Sequence, residues 1–300
     1  LRQLARIRTS VLDIAYEESG PAGALPVLLL HGFPYDPRSF DDVVAIVNAA
    51  GLRTIVPYLR GYGSTRFLSP DTPRSGEQAA LGQDLKDLLD ALGIERAVLG
   101  GYDWGGRAAC VVSALWPERV AGLVSCGGYN IQDIPNAHRP ADPEQEARFW
   151  YQYYFHTTRG QNGLSQKRSE LARLLWKMWS PNWAFDAATF ARTVTSFDNA
   201  DFVDVVVHSY RHRTGSAAGD PRYAAIEGRL AAQPPIAVPT IVLHGADDGV
   251  TPCRLSEVHR KYFTAPYQRR VLDHVGHNPP QEAPQAFAEA VLQLCGRAAV

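Results

Sequence analysis

Three hundred residues are too many for one small domain and enough for a large α/β domain or a core with an insertion, so a sizeable buried core is available. Thirty Lys and Arg against 31 Asp and Glu leave a formal charge of -1 with no block of like charge, which argues against nucleic acid or another polyanion as partner. No apolar run approaches the roughly 20 residues of a bilayer span, and the N-terminus lacks a basic segment followed by an apolar stretch, although a start at Leu1 leaves room for a trimmed leader. Cys110, Cys126, Cys253 and Cys295 lie in apolar or helical stretches without metal-like spacing, and read as buried thiols of a reducing, cytoplasmic compartment.

Val11 to Glu17 alternates apolar and polar residues, as a half-buried antiparallel strand near a sheet edge would. Pro26 to Leu30 is continuously apolar, the pattern of a strand covered on both faces, and it runs into His31-Gly32-Phe33-Pro34. Thr54 to Pro57 is a second short apolar run, ended by Arg60-Gly61-Tyr62-Gly63-Ser64. Leu81, Leu85, Leu88, Leu89 and Leu92 recur at helical spacing with polar residues between them, which predicts a helix covering the sheet. Ala97 to Leu99 then leads through Gly100-Gly101-Tyr102 to Asp103, a helix follows as far as Trp116, and Val120 to Ser125 is a further strand. Strands and helices alternate, so the sheet is expected to be mostly parallel.

From about Asn130 to about Gly215 the pattern changes to aromatic-rich helical segments, with Leu171, Leu174, Leu175 and Met178 on one helical face and Phe202, Val206 and Tyr210 on another. This stretch, 130–215, reads as a helical cap inserted between core segments 1–129 and 216–300. The Ala-, Gly- and Pro-rich run from Gly215 to Pro239 reads as a hinge back to the core. Thr240 to His244 is a buried strand opening into Gly245-Ala246-Asp247-Asp248, Leu255, Val258 and Tyr262 mark a helix, Arg269 to Asp273 a last strand, and Phe287, Val291 and Leu294 a closing helix.

In a parallel sheet, functional side chains gather at the C-terminal ends of the strands, where the loops open onto a common crevice. Four such exits carry polar signatures: the His31 loop, Asp103-Trp104, Asp247-Asp248, and Val275-Gly276-His277-Asn278. A nucleophile-capable Asp103, boxed by Gly101 and Gly105 between a strand and a helix, fits a strained strand-to-helix turn that admits only residues without a Cβ beside it. A second aspartate later and a histidine last complete the order nucleophile, acid, base.

On these residues the chain resembles, over nearly its whole length, the α/β-hydrolase superfamily, and within it the epoxide hydrolase and haloalkane dehalogenase branch. Gly101-Tyr102-Asp103-Trp104-Gly105-Gly106 is similar to that branch's Gly-x-Asp-x-Gly-Gly elbow, His31-Gly32-Phe33-Pro34 to its oxyanion loop, and Arg60-Gly61-Tyr62-Gly63-Ser64 to its Arg-Gly-x-Gly-x-Ser segment. The resemblance implies a mostly parallel eight-stranded sheet flanked by helices, an inserted cap, and neither cofactor nor metal. The implied partner is a small hydrophobic substrate, an epoxide or alkyl halide, handled by a monomer or homodimer.

An aspartate can attack a saturated carbon and leave an ester that water cleaves, whereas a serine would leave a resistant ether. Asp103 is then the nucleophile and His277 the base for hydrolysis, with Asp248 orienting it and the backbone N–H groups of Phe33 and Trp104 holding the oxyanion. Phe33 and Trp104 also line the substrate's place. Tyr151 and Tyr210 resemble the ring-opening tyrosines of epoxide hydrolases, which meet the departing alkoxide with a proton.

Several positions have competing readings. The family's spacing after Gly245 favours Asp248 over Asp247, and His274 reads as a surface residue. His31 reads as a loop-holding residue and Pro34 as part of a tight turn, with a cis bond as one form of it. Phe149, Trp150, Tyr153 and Tyr154 read as packing. Arg107 faces either the elbow's hydrogen bonds or solvent, and spacing does not choose. Haloacetate dehalogenases are similar at Arg107 but have a second arginine after the nucleophile and a His-Trp pair in the cap, where this chain has Trp104 and Tyr151-Gln152. A haloalkane or haloacid dehalogenase using the same Asp103, His277 and Asp248, with Trp150 or Trp183 serving the halide, is the alternative enzyme, and a non-catalytic ligand-binding homologue of the same fold is the alternative class.

Overall fold

The structure, a computed structural model, describes residues 3–296. The strands are β1 (Gln3–Arg8), β2 (Leu12–Ser19), β3 (Pro26–Leu30), β4 (Arg53–Pro57), β5 (Arg66–Phe67), β6 (Ala97–Gly101), β7 (Val120–Cys126), β8 (Thr240–Gly245) and β9 (Tyr267–Leu272). The helices are α1 (Asp41–Ala49), α2 (Gln78–Ala91), α3 (Asp103–Leu115), α4 (Pro143–Arg148), α5 (Trp150–His156), α6 (Thr158–Trp179), α7 (Ala187–Val194), α8 (Phe202–His212), α9 (Ala224–Ala231), α10 (Pro279–Glu282) and α11 (Pro284–Leu294).

Eight strands run in the order β1-β2-β4-β3-β6-β7-β8-β9, and the two-residue β5 adds a ninth beside β2. The β1/β2 and β2/β4 pairs are antiparallel and the ladder from β4 through β3 to β9 is parallel. The strands read from continuous apolar runs are those buried on both faces: β3, β6 and β8 carry almost no exposed residue. β1 escaped the sequence pattern because it is an edge strand with no buried residue, so nothing forces apolar alternation on it.

Successive strand residues point to opposite faces, and β6 shows what covers each one. Gly100 abuts Phe287 of α11 and Gly101 abuts the α3 backbone, so these helices lie on opposite sides of the sheet. Between β7 and β8 the described chain is helices and turns. The stretch expected to be a plain hinge contains α9, whose Glu227 accepts hydrogen bonds from the Gln78 side chain and the Ala79 N–H at the start of α2.

Three expectations need correction. On α6 the buried face is Ala172, Leu175, Trp176 and Trp179, while Leu174 and Met178 are exposed, because the two tryptophans dominate packing and rotate the helix. The Cys253–Tyr262 segment is a 3-10 run with Leu255 and Val258 exposed. Cys110 and Cys126 are buried, but Cys253 and Cys295 are only partly so. Among the described residues no helix is long and apolar enough to cross a membrane.

One ion pair ties the loop after β4 to the helices. Arg60 is buried and gives two parallel hydrogen bonds of 2.6 and 2.7 Å to Asp84 on α2, with a third of 2.7 Å to the Ser75 carbonyl. Such a pair gains little over apolar packing but is costly to break, since the remaining charge stays buried. Arg60→Met should therefore lower unfolding free energy by about 3–5 kcal/mol in urea titration, and the double change with Asp84→Leu should recover much of the loss. A single variant as stable as its parent would contradict this.

Candidate active site

The parallel pairing of Leu30 with Gly101 brings the exits of β3 and β6 side by side. Tyr102 is extended, and Asp103, the first residue of α3, turns to a φ of 50°, a left-handed conformation that side chains rarely adopt. Space is what imposes it. A Cβ on Gly105 would overlap the Leu30 carbonyl, and one on Gly32 would stand 2.6 Å from Asp103 Oδ1. The β3 exit loop thus touches the carboxylate, and the Phe33 N–H donates to Oδ1 at 2.8 Å. The Trp104 N–H belongs to the first turn of α3, where backbone donors have no helical partner.

His31 holds that loop. Its Nε2 accepts from the Leu59 N–H at 3.1 Å and its Nδ1 faces the Gly32 carbonyl, and burial pushes the ring down to about 4, so it stays neutral. The Phe33-Pro34 bond is cis.

His277 reaches the elbow from the loop after β9. Its Nδ1 donates to Asp248 Oδ2 at 2.9 Å, and its Nε2 is 3.6 Å from Asp103 Oδ2 with no hydrogen-bond partner. Asp248 is buried at the end of β8, and its other oxygen accepts from the N–H groups of Val250 and Thr251 at 2.7 and 3.0 Å. Asp247 is exposed and bonded to Asn182, and His274 is exposed at a φ of 61°. The geometry therefore joins Asp248 and His277 to Asp103 and leaves Asp247 and His274 outside.

Burial disfavours charge on all three, but mutual attraction outweighs it: Asp103 and Asp248 lie below the ordinary carboxylate value, and His277 is held well above the ordinary imidazole value. Glu282 fixes the histidine loop, accepting from the N–H groups of Gly276 and Asn278 and from the Ser180 hydroxyl, while the His277 N–H donates to the Trp179 carbonyl at the end of α6.

Asp103, His277, Asp248 and Tyr151 line one cavity of about 250 Å³. Tyr210 stands directly behind, its ring 5.3 Å from that of Tyr151 and its hydroxyl interacting with the Tyr151 oxygen. Burial raises both phenols, Tyr151 to about 12, so each keeps its proton at neutral pH. The side chains of Phe33 and Trp104 are stacked, fully buried, and absent from the cavity wall. Arg107 is in neither place that spacing allowed: it is buried, lines the cavity, and its Nε has no hydrogen-bond partner among the described residues.

Residues 26–284 match the model of the alpha/beta hydrolase fold family. The chain belongs to the α/β-hydrolase family. A crystal structure of a Klebsiella pneumoniae protein provisionally assigned as an epoxide hydrolase superposes with a TM-score of 0.95 at 47% identity, covering 97% of each chain. Epoxide hydrolase A of Mycobacterium tuberculosis is 24% identical across 96% of this chain and 95% of its own. Epoxide hydrolase 3 of Siraitia grosvenorii is 39% identical over 44% of this chain and 38% of its own, so that match spans less than half of either protein.

Some residues of this hydrolase's cavity stand outside the motifs read from the sequence. Arg213, Gln152 and His259 line it, and Glu282 and Ser180 brace its histidine loop. Gln152 follows Tyr151 and Arg213 comes three after Tyr210, a helical spacing that would have drawn attention to them; His259 meets the cavity only through the tertiary fold.

The electrostatics have a measurable sign. Asp248→Asn removes the anion that most favours imidazolium, so the His277 pKa should fall by about 1–3 units in a ¹⁵N-edited NMR titration. The stabilisation that the raised pKa supplies is complete below about 6.5, the unfolded value, and is lost as pH rises through the folded one. An unchanged His277 titration would contradict this assignment.

Proposed function

We propose that this hydrolase opens a small epoxide to a vicinal diol through a covalent ester on Asp103, which water activated by His277 then hydrolyses. The epoxide hydrolase relatives support the reaction class, and the observation that carries the reading is Tyr151: a buried, un-ionised phenol in the same cavity as an ionised aspartate and an imidazole.

Asp103 Oδ2, free of backbone hydrogen bonds and facing His277, attacks a ring carbon. Oδ1, already bound by the Phe33 N–H at 2.8 Å, becomes the ester carbonyl. The departing alkoxide takes a proton or strong hydrogen bond from Tyr151, with Tyr210 polarising it from behind. Esterification removes the Asp103 charge, so the imidazolium is held by one carboxylate fewer and gives up its proton, which replaces the one Tyr151 passed to the alkoxide, and the neutral ring can act as a base. His277 draws a proton from water that attacks the carbonyl, the oxyanion forms on Oδ1 between the N–H groups of Phe33 and Trp104, and its collapse breaks the bond from the Asp103 carboxyl carbon to Oδ2, which departs as a hydroxyl of the diol with the proton His277 returns. Asp248 keeps the imidazole oriented and balances its charge. Residues 130–215 are the cap over the core formed by 1–129 and 216–300; the cap supplies the tyrosines and the core the triad. No step calls for a cofactor or metal.

A dehalogenase is the second reading, favoured by the buried Trp104 indole N–H, which has no partner. A halide there would lack a place in the cavity wall, however, since Trp104 does not contribute to it.

The leaving group separates the two. Losing one well-placed hydrogen bond to developing charge costs about 3 kcal/mol, a hundredfold or more in rate. Tyr151→Phe should slow single-turnover alkylation by a terminal epoxide to that extent. Tyr210→Phe should slow it less, and the double change should fall short of the product because both serve one oxygen. A bromoalkane of matching shape, which leaves without a proton, should be far less affected. Epoxide opening at the parent rate in both variants, or turnover of halides alone that Trp104→Phe abolishes, would replace this reading with the dehalogenase.

A further inference from the structure

Two residues that no step of the proposed reaction uses stand beside its tyrosines. Gln152, next to Tyr151 on α5, is only 6% exposed. Its Nε2 donates to Tyr151 Oη at 3.2 Å and its Oε1 accepts from Arg213 Nη1 at 3.3 Å. Arg213 follows the end of α8, and its guanidinium carbon lies 4.4 Å from the centroid of the Tyr210 ring, while among the described residues its Nε and Nη2 are buried without a partner. A guanidinium has donors and no acceptor, so the amide atom that faces it has to be the oxygen. Arg213 thus decides which way round the Gln152 amide sits, and Tyr151 Oη meets the N–H side of that amide rather than its carbonyl.

Tyr151 Oη also takes a hydrogen bond from the Tyr210 hydroxyl, of the kind that favours its ionised form. A phenol oxygen met by two donors has only its own proton left to give, and Tyr151 lines the cavity that holds Asp103. With the amide reversed, the Gln152 carbonyl would take that proton and the phenol would meet a departing oxygen with lone pairs. Charge works in the same direction. Arg213 favours a phenolate at Tyr151 and Asp103 opposes one. The other titratable groups that act on Tyr151 from neighbouring elements are Arg107 of α3 and Tyr35 of the loop after β3, and His277 and Asp248 share its cavity. Against the face of the Tyr210 ring the Arg213 cation is further attracted by the π-electrons, which holds the guanidinium between the two tyrosine-bearing helices.

We propose that Arg213 and Gln152 are positioning residues for ring opening: the guanidinium fixes the amide, and the amide turns the Tyr151 proton into the cavity. When the alkoxide takes that proton, the O–H bond of Tyr151 breaks and one forms on the departing oxygen. The phenolate is then held by Gln152 Nε2 and the Tyr210 hydroxyl, with the Arg213 charge behind them, until the His277 proton replaces the one lost. The part in ring opening rests on the epoxide reading, and the orientation of the phenol does not.

The test uses Arg213→Gln, Arg213→Lys and Gln152→Glu in the full chain, each alone and combined with Tyr151→Phe. Single-turnover alkylation by a terminal epoxide should slow about tenfold in Arg213→Gln, the worth of one hydrogen bond, and less in Arg213→Lys, which also carries only donors. Gln152→Glu gives Arg213 a carboxylate partner and should melt no lower than the parent, yet it turns an acceptor toward Tyr151 and should slow the step at least as much as Arg213→Gln. In the Tyr151→Phe background the three changes should cost nothing further, because they act through that hydroxyl. A second readout needs no turnover. With Tyr151→3,5-difluorotyrosine, a phenol that ionises nearer neutrality, a ¹⁹F NMR titration should show the midpoint rise by about one pH unit in Arg213→Gln and by more in Gln152→Glu.

Equal slowing in both backgrounds, or a midpoint that neither change raises, overturns the positioning role, and the epoxide reading stands as long as the parent opens the epoxide. If the parent opens no epoxide while both changes raise the midpoint, the orientation of Tyr151 by Arg213 and Gln152 stands and the epoxide reading fails.

Discussion

One imidazole between two buried carboxylates sets the requirements that the surrounding structure meets. His277 bridges Asp248 at 2.9 Å and Asp103 at 3.6 Å, and three ionisable groups in low dielectric are tolerable only while that arrangement holds. The backbone is shaped accordingly. The left-handed turn at Asp103, the bare Gly32 and Gly105 that let β3 and α3 close on it, and the Glu282 brace behind His277 each serve to hold a side chain within reach of the others. In the proposed reaction, charge on the histidine favours the ionised aspartate needed for attack, and loss of the aspartate's charge in the ester favours the neutral histidine needed for hydrolysis. On that proposal the same contact would serve both half-reactions, as an ion pair in the first and as a neutral pair in the second.

The remainder of the cavity is less balanced. Its wall holds Arg107 and Arg213, neither in an ion pair among the described residues, beside both apolar side chains such as Ile131, Phe149 and Val250 and polar ones such as Asn130, Gln132 and Thr251. Arg107, Gln152 and Arg213 come from the same stretches of chain as Asp103, Tyr151 and Tyr210, so the shape and charge of the cavity are set by one packing arrangement.

Much of this was legible because it is local. The elbow at Asp103, the order of Asp248 and His277, and the buried strands β3, β6 and β8 are stated by short runs of sequence in which backbone geometry or double-sided burial dictates residue type. What escaped notice depends on tertiary neighbours. β1 is exposed along its length and so bears no hydrophobic imprint. The face of α6 was misjudged because Leu174 and Met178 fit a helical stripe equally well, and only the packing of Trp176 and Trp179 decides which stripe is buried. Arg107 could be placed on the right helix but not in its environment, since nothing near it in sequence reveals that the chain around Arg213 meets it across the cavity. Phe33 and Trp104 were expected at the substrate, and their backbones stand beside Asp103, yet their rings are packed into the core behind it.

The central claim is that Asp103 itself becomes the ester. Excess enzyme should be given a terminal epoxide for a single turnover in ¹⁸O-labelled water, and the Asp103 peptide and the diol analysed by mass spectrometry. Hydrolysis of an Asp103 ester places the label in the Asp103 carboxylate and leaves the diol of that turnover unlabelled. Label in the diol with none in Asp103 would mean that water attacks the epoxide directly, and the account would be wrong.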